Sequence, residues 1–374
     1  ITSESSFDAA HFLTNYEGKC KNIHGHRWRV VVTIKGELTN GMLVDFGDFK
    51  KDIKETKGVD VVPTMEDVIA KDSSWCPTFQ LIFNDLKNDI VKQDIKFDKS
   101  NTFLDNLNKE EFKESDISSD YYYKTYGVKS IELKNKIIKG IKDKFNQKSD
   151  ILDKFDFTNS SPNNYFFYSM LYREFKYPKR FNKLVNGKFN DKYDSIKYFG
   201  IKDKDEELAK QIKVLYYNNE DDFAIKLLTT SNDEVIINKN PKGNNFREIY
   251  NNITSKSKGY KDNEFTIDRD YFKMPYLSLN VMKEYKELEG QPIKDSEGNL
   301  IEIGTALQTI KFTLDDVGGK IKSEAGMDVM KSSIEDNKSK RYFYVDKTFA
   351  IFLKETSKDK PYFAARVNDI RKFQ

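Results

Sequence analysis

Three histidines and a cysteine crowd one short stretch of the chain: His11, Cys20, His24 and His26. The chain has 374 residues and only these three histidines, so none follows His26. On a strand, positions i and i+2 project to the same side. His24 and His26, separated by Gly25, can therefore aim both imidazoles at one ion, and His11 adds a third nitrogen if its strand pairs with theirs. Three imidazoles around an open coordination position make a catalytic zinc site, whereas a structural site is closed by four protein ligands. Cys20 stands four residues before His24, and a thiolate beside a bound cation has a lowered pKa and greater reactivity. A His-x-His pattern by itself arises often by chance. The confinement of every histidine to this stretch, with Cys20 among them, is what points to a metal.

The elements that must position these groups are legible nearby. Residues 27–36 alternate Trp28, Val30, Val32 and Ile34 with Arg29, Val31, Thr33 and Lys35, which predicts a strand. Phe7, Ala9 and His11 alternate with Asp8, Ala10 and Phe12 and predict an earlier one. Gly36 and Asn40-Gly41 are turn signals, and Phe46, Phe49 and Ile53 recur at helical spacing. Lys57-Gly58 and Pro63 break the periodicity, so residues 57–72 read as a joint between a segment 1–56 and a body 73–374. In the body, Phe79, Phe83, Leu86 and Ile90 predict a helix. A second is expected over 129–146 with Leu133, Ile137, Ile138, Ile141 and Phe145 inward. From about residue 165 short apolar strands recur: 165–171, 214–217, 223–228, 235–237, 276–279, 309–314, 349–353 and 362–367.

Composition narrows the function. The 63 basic and 60 acidic residues leave a charge of +3, which argues against a nucleic-acid partner. Only 9 of the 63 are Arg, so few positions offer a bidentate fork for carboxylates. Tyr and Phe number 21 and 28, too many for a disordered chain. Two cysteines, Cys20 and Cys76, allow one bridge at most. No apolar run is long enough to cross a membrane, and no signal peptide is visible at the first residues. The chain thus reads as soluble and cytoplasmic as written, with an extracellular location for the body if a native signal peptide was lost.

The segments Phe7-Asp8-Ala9-Ala10-His11-Phe12-Leu13, Gly18-Lys19-Cys20-Lys21-Asn22-Ile23-His24-Gly25-His26 and Gly41-Met42-Leu43-Val44-Asp45-Phe46 resemble the start of the 6-pyruvoyltetrahydropterin synthase family. The bacterial 6-carboxytetrahydropterin synthase branch, of queuosine biosynthesis, is the nearer likeness. The resemblance covers residues 1–55 and implies a partial T-fold, a β-hairpin plus helix. It also implies His11, His24 and His26 as zinc ligands, Cys20 as the catalytic cysteine, and a pterin triphosphate as substrate. The family completes its proton relay with an Asp-His pair in its second half. No histidine stands downstream here, so the resemblance implies zinc binding without turnover.

Residues 73–374 resemble the serpin family, piece by piece and in order: Ser169–Lys176 with Phe181, Lys197–Gly200, Val214–Tyr217, Asp222–Ile225, Met274–Leu279, Ala306–Leu314, Gly318–Ala325, Val345–Leu353 and Pro361–Val367. This implies an α+β, multi-sheet body and a reactive loop that inserts as a new strand after cleavage. An insertable strand needs one buried and one wet face. Gly319, Ile321, Ser323, Ala325, Met327 and Val329 form a small or apolar face, while Lys320, Lys322, Glu324, Gly326, Asp328 and Met330 form a mostly charged one. The exposed part runs from Met330 to Arg341, where Lys331, Lys340 and Arg341 offer cleavage positions to a serine protease of trypsin-like specificity. The sequence therefore predicts a composite chain. Two alternatives stand beside it: a working synthase completed by a partner subunit, and a serpin-like binding protein without inhibition.

Overall fold

The computed structural model describes residues 2–7, 28–33, 58–158, 164–319 and 339–374. The chain divides into two compact units, Ile1–Glu55 and Thr56–Gln374. In the first, β1 (Thr2–Phe7) pairs antiparallel with β2 (Trp28–Thr33), from Thr2 opposite Thr33 to Phe7 opposite Trp28. The run Val30-Val31-Val32 suits extended backbone. The helix expected through Phe46, Phe49 and Ile53 lies outside the described residues.

In the second unit β3 (Asp60–Val61) and β4 (Ser73–Trp75) precede α1 (Thr78–Asp85), which continues as a π-helical turn over Leu86–Val91, and α2 (Thr102–Asn108). Next come β5 (Tyr122–Val128), α3 (Ile131–Phe145), β6 (Tyr165–Leu171) and β7 (Phe175–Lys176). Four short strands follow, β8 (Asn182–Lys183), β9 (Gly187–Phe189), β10 (Tyr193–Ile196) and β11 (Tyr198–Gly200), and then α4 (Glu206–Lys210). The chain continues through β12 (Ile212–Asn219), β13 (Asp222–Leu228), β14 (Asp233–Lys239), α5 (Phe246–Ser257), β15 (Asp270–Pro275) and β16 (Leu277–Glu284). It closes with β17 (Pro292–Lys294), β18 (Leu300–Glu302), β19 (Leu307–Leu314), β20 (Gly318–Gly319), β21 (Arg341–Tyr344), β22 (Phe349–Glu355) and β23 (Pro361–Val367).

Three sheets carry the body. The largest has the order β12-β13-β14-β22-β23-β4-β3. Its inner strands are buried on both faces: Phe349 to Leu353 are all in the core, which is why they read as unbroken apolar runs without alternation. Two four-stranded sheets have the orders β21-β15-β11-β8 and β16-β19-β20-β7, and β5 pairs with β6 alone.

The stretch expected to be a joint, residues 57–72, is instead built into the larger unit. Asp60–Val61 pairs in parallel with Ser73–Ser74, and Val61, Val62 and Met65 are buried. The breaks at Gly58 and Pro63 frame a two-residue strand and a turn, and the division between the two units falls just ahead of them, between Glu55 and Thr56. Helix α3 begins where Ser130 Oγ accepts the Leu133 N–H at 3.2 Å, and it ends at Asn146 in the left-handed region (φ 52°). Leu133, Ile137 and Ile141, four residues apart, face the core, whereas Ile138 lies off that stripe and is 44% exposed, contrary to expectation. The strand expected over 276–279 is divided at Tyr276: β15 ends on Pro275 in one sheet and β16 begins in another. Among the described residues no helix is long and apolar enough to cross a membrane.

Candidate functional site

His11, Cys20, His24 and His26 all belong to the stretch between Phe7 and Trp28, the pair that closes the β1–β2 ladder. Their side chains lie outside the described residues. Among the described residues no group of three or more His, Cys, Asp or Glu side chains is arranged to hold a metal. Cys76 is buried, and burial pushes its thiol up to about 11, so it is an inert core thiol.

The body holds a second candidate site, two strand edges that lack a partner along most of their length among the described residues. Among the described residues β6 pairs only with β5, and β19 pairs with β16 along its whole length but on its other side only at Leu314. Among the described residues each strand thus has one edge with few or no pairs. At one end the two lines are bridged by β20. Gly319 pairs with Leu314 of β19 on one side and with Phe175 of β7 on the other, and Gly318 pairs with Lys176. Since β7 follows β6 after three residues, β20 links the end of β19 to the chain that follows β6.

Several groups fix that link. Asp315 Oδ1 accepts the Val317 and Gly318 N–H groups at 2.8 and 3.1 Å, folding the turn between β19 and β20. Asp316 is buried; it accepts from Tyr276 Oη at 2.7 Å and pairs with Arg180, while its carbonyl takes the Phe181 N–H at 2.9 Å. Burial alone would raise the Asp316 carboxyl, but the hydrogen bonds from Tyr276 and Arg180 outweigh it and hold the group below its usual range. Behind β6, Arg173 grips the buried Asp233 of β14 through Nε at 2.8 Å and a terminal nitrogen at 2.7 Å, and Tyr362 Oη donates to the same carboxylate at 2.7 Å. The outer face of β6 is covered by α3, whose Leu133, Ile137 and Ile141 share a core with Phe166 and Tyr168.

Glycine is required at the bridge. Gly318 has φ +155°, and a Cβ there would lie 2.2 Å from the Phe175 carbonyl oxygen; one on Gly319 would lie 2.5 Å from the Phe175 ring. Gly318→Ala is expected to unseat β20 and lower the unfolding free energy by about 1–3 kcal/mol, read by urea titration. An unchanged midpoint would show that β20 is not held between β19 and β7.

Of the seven residues expected in a reactive loop, Gly319 is buried in β20, and Ile321, Ser323, Ala325 and Lys331 lie outside the described residues. Lys340 is exposed, its ammonium 5.9 Å from the Tyr271 ring centre. Arg341 is not on an exposed loop. It is buried as the first residue of β21, its guanidinium bound to Asp270. The sequence reading missed Arg180, Asp316, Asp270 and Arg173. The signal available was the scarcity of Arg: in a chain rich in Lys, six of the seven arginines of the larger unit pair with a carboxylate (Arg173, Arg180, Arg247, Arg269, Arg341 and Arg371), where a planar fork outperforms an ammonium.

Comparison with known proteins agrees with two origins. Maspin, at 12% identity and a TM-score of 0.51, covers 79% of this chain and 91% of its own. Serpin48 of the insect Tenebrio molitor, at 12% identity and a TM-score of 0.47, covers 81% of this chain and 92% of its own. At 12% identity the likeness to maspin is one of fold: the body is an α+β, serpin-like structure. A model of the 6-pyruvoyl tetrahydropterin synthase family matches residues 1–79. The 6-carboxy-5,6,7,8-tetrahydropterin synthase of Haemophilus influenzae is 42% identical over 60 residues, 15% of this chain and 43% of that protein. The chain thus spans less than half the length of this curated relative. The family match runs beyond residue 55, through β3 and β4 to the start of α1. Residues 58–79 therefore match the synthase family and are also built into the serpin-like body.

Proposed function

We propose that the chain joins a zinc-binding, catalytically incomplete 6-carboxytetrahydropterin synthase segment to a serpin-like protease-trapping body. In this reading residues 320–340 are the reactive loop and the gap between β6 and β19 is its destination. The observation that carries it is the register at Gly319. Continued antiparallel from the Gly319–Leu314 pair, the loop would set Ile321, Ser323 and Ala325 opposite Phe312, Ile310 and Gln308, all three buried. Lys320, Lys322 and Glu324 would fall opposite Thr313, Lys311 and Thr309, which are half-buried or exposed. The apolar face of the loop thus meets the buried face of β19, as an inserted strand requires. Counted along β7 and β6 from the Gly319–Phe175 pair, the strand would run out opposite Tyr165 at Val329, two residues before Lys331. Lys331 is then the basic position best placed for a serine protease of trypsin-like specificity.

In the N-terminal segment the donor set suits zinc: His11, His24 and His26 would hold it, leaving a position for substrate. A bound zinc would supply Lewis-acid polarisation of a pterin side-chain oxygen. Cys20 would carry a proton at its sulfur. The relay histidine of the family has no counterpart after His26, so sustained turnover of a pterin triphosphate is not expected. Peptide mapping of the native protein tests the composite reading. A peptide spanning residues 51–75 supports it, and two separate products, split near residue 57, would end it.

A further inference from the structure

β21, onto which the far end of segment 320–340 leads, is a weak place to anchor a loop. It is four residues long, lies at a sheet edge and pairs with β15 in parallel, the less stable of the two ladder types. Its first side chain supplies what the ladder lacks. Arg341 Nε donates to Asp270 Oδ1 at 2.8 Å, and one terminal nitrogen donates to Asp270 Oδ2 at 2.8 Å and to the Glu264 carbonyl at 2.7 Å. The other terminal nitrogen donates to the Asp262 carbonyl at 2.9 Å and to its carboxylate at 3.1 Å. The 260–264 segment is in turn tied to β12: the Val214 N–H donates to the Asn263 carbonyl at 3.0 Å, and Lys213 forms a backbone bridge with Glu264. One guanidinium therefore fastens β21 both to its own sheet and to the edge of the seven-stranded sheet. The side chains of Arg341 and Asp270 are 5% and 0% exposed. Breaking the pair would leave the buried carboxylate with only the Arg269 guanidinium, 3.7 Å away, as counter-charge, an unfavourable state.

We propose that Arg341 is a positioning residue, a latch whose grip on Asp270 and Asp262 holds the far end of the loop and shields the bonds beside it from proteolysis. A protease must draw several residues on each side of a bond into its cleft. The Lys340–Arg341 bond cannot be so drawn while Arg341 is clamped, and attack is confined to bonds upstream. This inference rests on the reading of 320–338 as the protease-facing segment.

Limited trypsin digestion of the full chain, with cuts mapped by mass spectrometry, tests it. The unaltered chain is expected to show no cut after Lys340 or Arg341. In Arg341→Gln a cut after Lys340 is expected at least about tenfold faster, because local opening governs access. Arg269→Gln removes a partner of Asp262 and a longer, 3.7 Å contact to Asp270 but leaves Arg341 on Asp270. It is expected to lower the melting temperature without creating that cut, which separates the latch from a general loss of stability. Should Arg341→Gln fail to fold, the charge-free pair Arg341→Met with Asp270→Leu replaces it and is expected to show the same new cut. A cut after Lys340 or Arg341 in the unaltered chain, or no cut after Lys340 in either Arg341 variant, overturns the latch. Absence of every cut within 320–338 instead overturns the loop reading, and the latch still stands or falls on the Lys340 bond in the variants.

Discussion

Nicking the chain once after Lys331 is expected to raise its melting temperature by about 10 °C or more. The cut frees the upstream portion from Arg341 and lets it continue from β20 along the open edges of β19 and β6. Entry would bury Ile321, Met327 and Val329, each worth about 1.5–3 kcal/mol when fully buried, together with Ala325 and a new ladder of backbone hydrogen bonds. A gain on the order of 5 kcal/mol remains after ordering the strand, and a chain of this size gains about 2 °C per kcal/mol. Calorimetry before and after light trypsin treatment measures it. A lowered or unchanged melting temperature would mark the proposed slot between β6 and β19 as inert and favour a non-inhibitory scaffold.

The second large effect concerns the metal. Purified chain is expected to carry zinc through dialysis, and His24→Ala to lose it entirely, since one ligand of three is worth several kcal/mol of the total, or about 100-fold or more in affinity. Cys20→Ala is expected to retain zinc, because the sulfur is assigned to proton transfer and not to ligation. Dihydroneopterin triphosphate is expected to bind without sustained product formation. Steady turnover by the intact chain would overturn the assignment of an incomplete relay and restore the reading of a synthase completed by a partner subunit.

How much of this was legible in the sequence follows from how locally each feature is encoded. Strands buried on both faces, such as Phe349–Glu355 and Pro361–Val367, announce themselves as apolar runs, because every residue but Lys354 and Arg366 is buried. Helix α3 is equally plain, since Ser130, a four-residue apolar spacing and Asn146 mark its start, face and end. The fate of residues 57–72 was hidden. A two-residue strand has no periodicity to read, and its burial depends on β4 and β23, the latter almost three hundred residues away. Arg341 misled for a related reason: a basic residue after a polar loop looks solvated until Asp270, 71 positions earlier in the chain, is seen beside it. The proposed slot is the least legible feature, because it is defined by edges that find no partner among the described residues, although the alternation from Gly319 to Met330 matches the face it would bury.

Hydrogen–deuterium exchange on intact and nicked chain, followed in peptides covering 165–171, 307–314 and 320–330, tests the trap most directly. Insertion predicts that nicking raises amide protection in all three, with 320–330 approaching the level of the central strands of the seven-stranded sheet. Unchanged exchange across the three peptides after a complete nick would contradict it.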